Sequence, residues 1–431
     1  MSKRLLFVWL FRLTCLAIIV AVFRQFYIDI VNFPNIFKGA NIYEPFGISD
    51  WLINYQGGFV RRGLLGELLF QLYNWHPFPV VYIIIGISTT CLIGLTSLLV
   101  CLFRRMGWPV LLLLFPIFLY YRLYGLGFGI LGSRRDTMMM LLAFLLFRQY
   151  KKYIVVGEVN KVIRVWLLSI LILLLYEGVF FPIFPFLALH TVMHYRSSIY
   201  LMFKNLFFVW WPVAVLLIVI IIWHGNRETP ELIWQSWIPM FRQYPYGYNL
   251  PDIGIGVSWL VGTINSNFNF AFNTTWLSEF GSYVPVWPFN IYVLLAVYYL
   301  FTRMDILVMN NHFQYERRIQ VSNILTLQMI FVFPMLGIIA NDWFRSIPYC
   351  CITSCFLCYL FPERFNVPKV IDDLSIKVQQ LLSKSKFLCN PWVYYVVLIS
   401  LPLGEMSARP GGMFPFIPLE LKNRLLELLS Y

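Results

Sequence analysis

Val165–Met193, VWLLSILILLLYEGVFFPIFPFLALHTVM, is too long for one upright membrane span and comfortable only as two short ones. Gly178 and Pro182 put the break between them. Glu177 sits beside that break, at the outer end of an otherwise apolar run. An ionisable group in such a place is by default functional, or paired with an arginine for structure.

Working outward, apolar segments near 5–23, 80–103, 108–121, 137–147, 205–223, 289–301, 321–340, 346–361 and 387–403 join the two short spans. They bring the expected total to about eleven transmembrane helices. The 431 residues are 60% hydrophobic and 12% charged, more apolar surface than a soluble core could hide. The expectation is a single all-α, polytopic integral membrane domain over 1–431. Lys3 and Arg4 precede an apolar run without a small-residue cleavage site, so the first helix is read as retained, with its N-terminus cytoplasmic.

Orientation follows from lysine and arginine. Of the 33 basic residues, 19 fall in alternate loops read as cytoplasmic, 13 fall outside and Arg12 lies within the first helix. The outer side then receives loop 24–79, loop 122–136, the large loop 224–288, the turn at Asn341 and the tail 404–431. Arg61 to Trp75 in the first of these, with Leu64, Leu65, Leu68, Leu69 and Leu72, reads as a helix lying in the interface. The 224–288 loop is rich in aromatic residues, among them Trp234, Trp237 and Trp276, a composition suited to stacking on sugar rings. The net charge of +13 is dispersed over short loops, which fits a lipid bilayer and an anionic substrate and not a nucleic acid.

The outer basic minority is clustered. Gly57-Gly58-Phe59-Val60-Arg61-Arg62-Gly63 joins backbone freedom and two guanidiniums to the start of a helix, a plausible phosphate cradle. Gly132-Ser133-Arg134-Arg135-Asp136 precedes another helix, where either arginine could bind an anion or pair with Asp136. Asp342 and Arg345 are spaced to face one side of a helical turn, as a salt bridge or as substrate contacts. Arginine suits phosphate because its planar fork binds two oxygens at once. Asp50, a few residues before the first cluster, is the favoured general base among the loop acids Asp29, Glu44, Asp50 and Glu67.

The five histidines form no ligand pairing, and Cys350, Cys351, Cys355 and Cys358 fall inside one apolar run, where packing is the expected role. Neither a metal nor a cofactor is expected. Gly125, Gly127 and Gly129 follow no strand, so they do not read as a nucleotide loop. Arginines at headgroup depth, acids beside them and an aromatic outer loop match the parts of a polyprenyl-linked sugar: diphosphate, lipid tail and glycan. Transfer from such a donor needs stabilisation of a departing phosphate, which arginines supply.

The string from Asp50-Trp51 through Asn54-Tyr55 to Gly57-Gly58-Phe59-Val60-Arg61-Arg62-Gly63-Leu64-Leu65-Gly66-Glu67 resembles one in bacterial membrane proteins of surface-polysaccharide gene clusters. Some of these are assigned as O-antigen polymerases of lipopolysaccharide biosynthesis. Gly132-Ser133-Arg134-Arg135-Asp136, Tyr176-Glu177 and Asp342-Trp343-Phe344-Arg345 are similar to shorter signatures of that group. Tyr176 stands where the group has His, and Phe344 where it has Gly.

The resemblance implies a polymerase of the bacterial inner membrane that joins undecaprenyl-diphosphate-linked oligosaccharide repeat units on the periplasmic face. Arg61, Arg62, Arg134, Arg135 and Arg345 would bind the diphosphate, and a chain-length regulator of the same pathway is an implied partner. One rival expectation is a membrane glycosyltransferase of the C superfamily, which is similar in its first outer loop and uses a polyprenyl-phosphate sugar. Another is a lipid-linked glycan flippase or transporter, which would line a path through the bilayer with charge.

Overall fold

The computed structural model describes residues 46–106, 135–223, 225–244, 287–303, 315–336, 343–361 and 366–401, with a few isolated positions besides. Among them are thirteen α-helices and no β-strand. In chain order these are α1 (Phe46–Trp51), α2 (Gly63–Trp75), α3 (Val80–Met106), α4 (Asp136–Ile154), α5 (Val162–Leu175), α6 (Phe180–His194), α7 (Ile199–Ile222), α8 (Thr229–Gln243), α9 (Trp287–Thr302), α10 (Tyr315–Val332), α11 (Trp343–Leu360), α12 (Lys369–Lys384) and α13 (Pro391–Ser400). The segments 108–121 and 404–431 lie outside the described residues, as does most of 5–23.

The long run divides where glycine and proline place the break. α5 ends at Leu175, Tyr176 is extended at φ −163°, and a single 3-10 turn, Glu177–Val179, leads into α6. Pro182 falls in the first turn of α6, where its missing N–H breaks no helical bond. α5 and α6 have 14 and 15 residues, so each rises only about 21–23 Å.

Two helices, Val80–Leu102 within α3 and Ile199–Ile222, are long and apolar enough to cross a membrane. Only 28% of either apolar window is buried, so most of that surface faces outward, unlike the core helix of a soluble protein. α4 packs against α3, α5 and α11, α5 packs against α7, and α10 is enclosed by α6, α9, α11 and α12.

Three helices stand in stretches read as loops. α8 runs through the aromatic outer loop because Ile233, Trp234, Trp237, Met240 and Phe241 recur at helical spacing, and that face is buried. The short α1 precedes the glycine-arginine cluster. α12 occupies the basic inner loop with its faces inverted: Ser375 and Gln379 are buried and Asp372 accepts from Asn323 Nδ2 at 2.8 Å, while Val370, Leu374 and Leu381 are exposed.

The expected interfacial helix exists as α2, but its leucine face does not pack as one surface. Gly63, Gly66, Leu69 and Tyr73 form the buried stripe, while Leu68 and Leu72 face outward, because the small residues let the helix approach α1 and the loop that follows it. A methyl group on Gly66 would overlap the carbonyl oxygen of Ile53 and come within 2.8 Å of that of Trp51. Backbone atoms cannot yield as a side-chain tip can. Gly66→Ala is therefore expected to destabilise the protein by about 1–3 kcal/mol or more, read as a lowered unfolding midpoint in detergent; an unchanged midpoint would mean that α2 can lift away from the loop.

Candidate functional site

The charged stretch rests on an anchored loop. Leu52 O accepts from the indole Nε1 of Trp237 at 2.7 Å, Asn54 Nδ2 donates to Ser236 Oγ at 2.9 Å, and the Tyr55 N–H donates to Glu67 Oε2 at 2.9 Å. Gly57 lies against Thr229, where a Cβ would meet the Thr229 carbonyl at 2.8 Å. Gly58, at φ +100°, turns the chain in a conformation closed to other residues without strain. The glycine pair thus serves a close approach and a turn.

Arg61 and Arg62 follow, and Arg62 is itself left-handed at φ 65°, the sole non-glycine residue with positive φ among the described residues. That conformation costs about 1–2 kcal/mol for an L-residue, and such strain gathers at functional sites. Arg62 is the N-cap of α2 and Arg135 the N-cap of α4. Positive charge at a helix N-terminus opposes the helix dipole, so both positions call for a neighbouring anion.

Two carboxylates supply it. Glu177, in the turn between α5 and α6 and outside both helices, accepts from Arg62 Nε at 2.9 and 3.0 Å, from Arg62 Nη2 at 2.7 Å and from Arg61 Nη1 at 3.2 Å. Asp50 takes the fork of Arg135, with Nε to Oδ2 at 3.0 Å and Nη2 to Oδ1 at 2.7 Å, and lies 3.5 Å from Arg62 Nη1. The third nitrogen of Arg135, Nη1, donates to the Arg62 carbonyl at 3.0 Å. The Tyr176 ring lies beneath the Arg62 guanidinium, 4.4 Å from its carbon. Three guanidiniums and two carboxylates leave this cluster one positive charge in excess.

Burial alone would raise the Glu177 carboxyl, but the Arg62 and Arg61 guanidiniums outweigh it and hold the group at about 2. Burial works against the Arg62 charge too, yet Glu177, Tyr176 and Asp50 together keep that guanidinium firmly protonated. The sign of the linkage follows. A depressed carboxyl contributes stability that is complete above its ordinary value near 4.5 and is lost as pH falls toward 2. Thermal unfolding of wild type should weaken relative to Glu177→Gln over that window; parallel pH profiles would show that the pairing adds no stability.

Asp50 and Glu177 were the expected catalytic acids. In this arrangement both are clamped by guanidiniums that favour their charged forms and occupy their lone pairs, which suits counter-ions better than bases. Asp136 does not pair with its neighbour Arg135, since adjacent residues on a helix point apart; instead it accepts from the Tyr349 hydroxyl.

Trp234 and Trp237 are buried within the packing of α8, 2% and 0% exposed, so neither presents an open ring face to a sugar here. Arg134, Trp276 and Asp342 lie outside the described residues, and of Arg345 only the backbone is described, in the first turn of α11. Cys350, Cys351, Cys355 and Cys358 are buried free thiols, and no group of three or more potential metal ligands occurs among the described residues.

Sequence reasoning missed Glu67, which holds the loop through the Tyr55 N–H and Gln56, and Tyr176, the ring under Arg62. The signal for Tyr176 was its place beside Glu177. Compared with known proteins, the chain matches no family model, no curated protein and no solved structure.

Proposed function

We propose that this protein is a multi-pass enzyme of the bacterial inner membrane that transfers glycan from a polyprenyl diphosphate carrier on the outer face, as a polymerase of lipid-linked repeat units. The observation that carries the reading is the convergence of Arg61, Arg62 and Arg135 with Asp50 and Glu177, drawn from four separate stretches of chain, at one end of the bundle. An excess of guanidinium there offers electrostatic stabilisation to a departing diphosphate.

The membrane placement is supported by the outward apolar faces of α3 and α7 and by the inverted α12. The orientation is supported by the opposite end of the bundle. There the α4–α5 and α6–α7 connections lie, with Lys151, Lys152, Lys161, Arg164 and Arg196 in or beside them, as cytoplasmic loops prefer. The number of spans, about eleven, belongs to the same proposal.

A second reading is a single-sugar transferase using a polyprenyl monophosphate donor. The place of Asp50 in a short helix of the first outer loop favours it, because release from Arg135 would free that carboxylate to act as a base. The flippase reading is less well supported, since the charges gather at one helix end.

The test is gel analysis of surface glycan from cells lacking the gene, complemented with the wild-type chain. Collapse of the long-chain ladder to a single repeat unit, restored on complementation, is the expected result. A full ladder with every band shifted by one sugar would replace polymerisation with single-sugar transfer, and an unchanged ladder would overturn both.

A further inference from the structure

The five charges at the site differ in exposure and in how completely they are engaged. The Arg135 and Asp50 side chains are 2% and 10% exposed, and all three guanidinium nitrogens of Arg135 face protein oxygens: two from Asp50 and the Arg62 carbonyl. That pair is a buried anchor for the loop, with no nitrogen left to offer a ligand. Arg61, Arg62 and Glu177 are 20%, 14% and 16% exposed and form the outward part of the cluster.

Within that outward part the match is incomplete. A single oxygen, Oε1 of Glu177, receives Arg62 Nε, Arg62 Nη2 and Arg61 Nη1 at 3.0, 2.7 and 3.2 Å. A carboxylate has two oxygens and one charge for two guanidiniums; a phosphate group has three oxygens and nearly two charges. Arg62 would also stay in place without Glu177, because the Tyr176 ring supports its face and Asp50 lies 3.5 Å from its Nη1. Glu177 itself belongs to a one-turn 3-10 segment, where a change of side-chain rotamer breaks no helix.

We propose that Glu177 is an internal surrogate for the substrate phosphate: it holds Arg61 and Arg62 ready in the empty site and is displaced when a phosphate or diphosphate monoester binds them. Displacement leaves two guanidiniums against the incoming anion while Arg135 and Asp50 stay locked. The built-in carboxylate keeps the paired arginines from collapsing onto other anions and sets the affinity, because every ligand must compete with it. This inference rests on the diphosphate-carrier reading and assigns Arg61 and Arg62, and not Arg135, to the ligand.

The test uses the full chain in detergent with two probes, farnesyl diphosphate and inorganic pyrophosphate, binding being measured by equilibrium dialysis. Glu177→Gln should bind farnesyl diphosphate about tenfold more tightly than wild type, and Arg61→Ala about tenfold less tightly. Because Glu177→Gln leaves arginines unpaired, its unfolding midpoint should be low without probe and restored by it, by a larger margin than in wild type. Equal or weaker binding by Glu177→Gln, with wild type binding normally, would overturn the surrogate role and leave the diphosphate reading standing. If neither wild type nor Glu177→Gln binds either probe, the diphosphate reading fails and the inference with it. Binding of both probes assigns recognition to the phosphates alone, whereas binding of farnesyl diphosphate only assigns it to a lipid-borne phosphate.

Discussion

Arg62→Ala is expected to abolish glycan assembly in complemented cells, with loss of the long-chain ladder on the order of a hundredfold, and Arg62→Lys is expected to restore little of it. Arg62 makes the two-nitrogen contact to Glu177, approaches Asp50 and stacks on Tyr176, so its removal leaves one carboxylate short of its main partner. A lysine can carry the charge but has neither the flat face for Tyr176 nor the spaced nitrogens for a fork. Arg62→Gly makes an informative companion: it relieves the left-handed backbone, at φ 65°, while deleting the guanidinium. If charge is what matters, Arg62→Gly should be as inactive as Arg62→Ala and more stable. Full activity of Arg62→Lys at normal membrane levels would sink the role assigned to the fork.

Asp50→Ala and Arg135→Ala should each destabilise the protein by about 3–5 kcal/mol, since either leaves a buried charge without its partner. The double variant should lose clearly less than the sum of the two, because it removes both charges at once. Denaturant unfolding in micelles gives all four corners of that cycle. Additivity within about 0.5 kcal/mol would mean that the fork contributes no coupling, and that Arg135 acts through its bond to the Arg62 carbonyl.

Membership of the site was legible before its wiring. Arg61, Arg62, Arg135, Asp50 and Glu177 stood out because each is a charge where an apolar chain facing outward should have few. Their pairing was not legible: Asp50 and Arg135 are 85 positions apart and Arg62 and Glu177 are 115 apart, and local spacing carries no information on such contacts. Asp136 looked like the partner of Arg135 only by adjacency, which the direction of side chains at a helix start forbids. The break at Gly178 was read from two residues and holds.

α8 was overlooked although Ile233, Trp234, Trp237, Met240 and Phe241 carry helical periodicity, because aromatic richness suggested a ligand surface instead of a buried face. The inverted α12 shows the converse difficulty. Its periodicity is plain, but whether the polar or the apolar side turns inward depends on what surrounds the helix.

The anchoring of residues 52–62 has a kinetic meaning. Five contacts from distant residues fasten this loop: those of Trp237, Ser236, Glu67 and Arg135, and the Thr229 hydroxyl at 3.4 Å from the Gly57 carbonyl. Opening it would break them together, which places it among the slow, costly motions of the chain and not among its gating loops. A bulky lipid-linked molecule must then arrive and leave by movement of another wall, so turnover is limited elsewhere than at the arginines, and mutations that loosen the loop should blur selectivity before they quicken release.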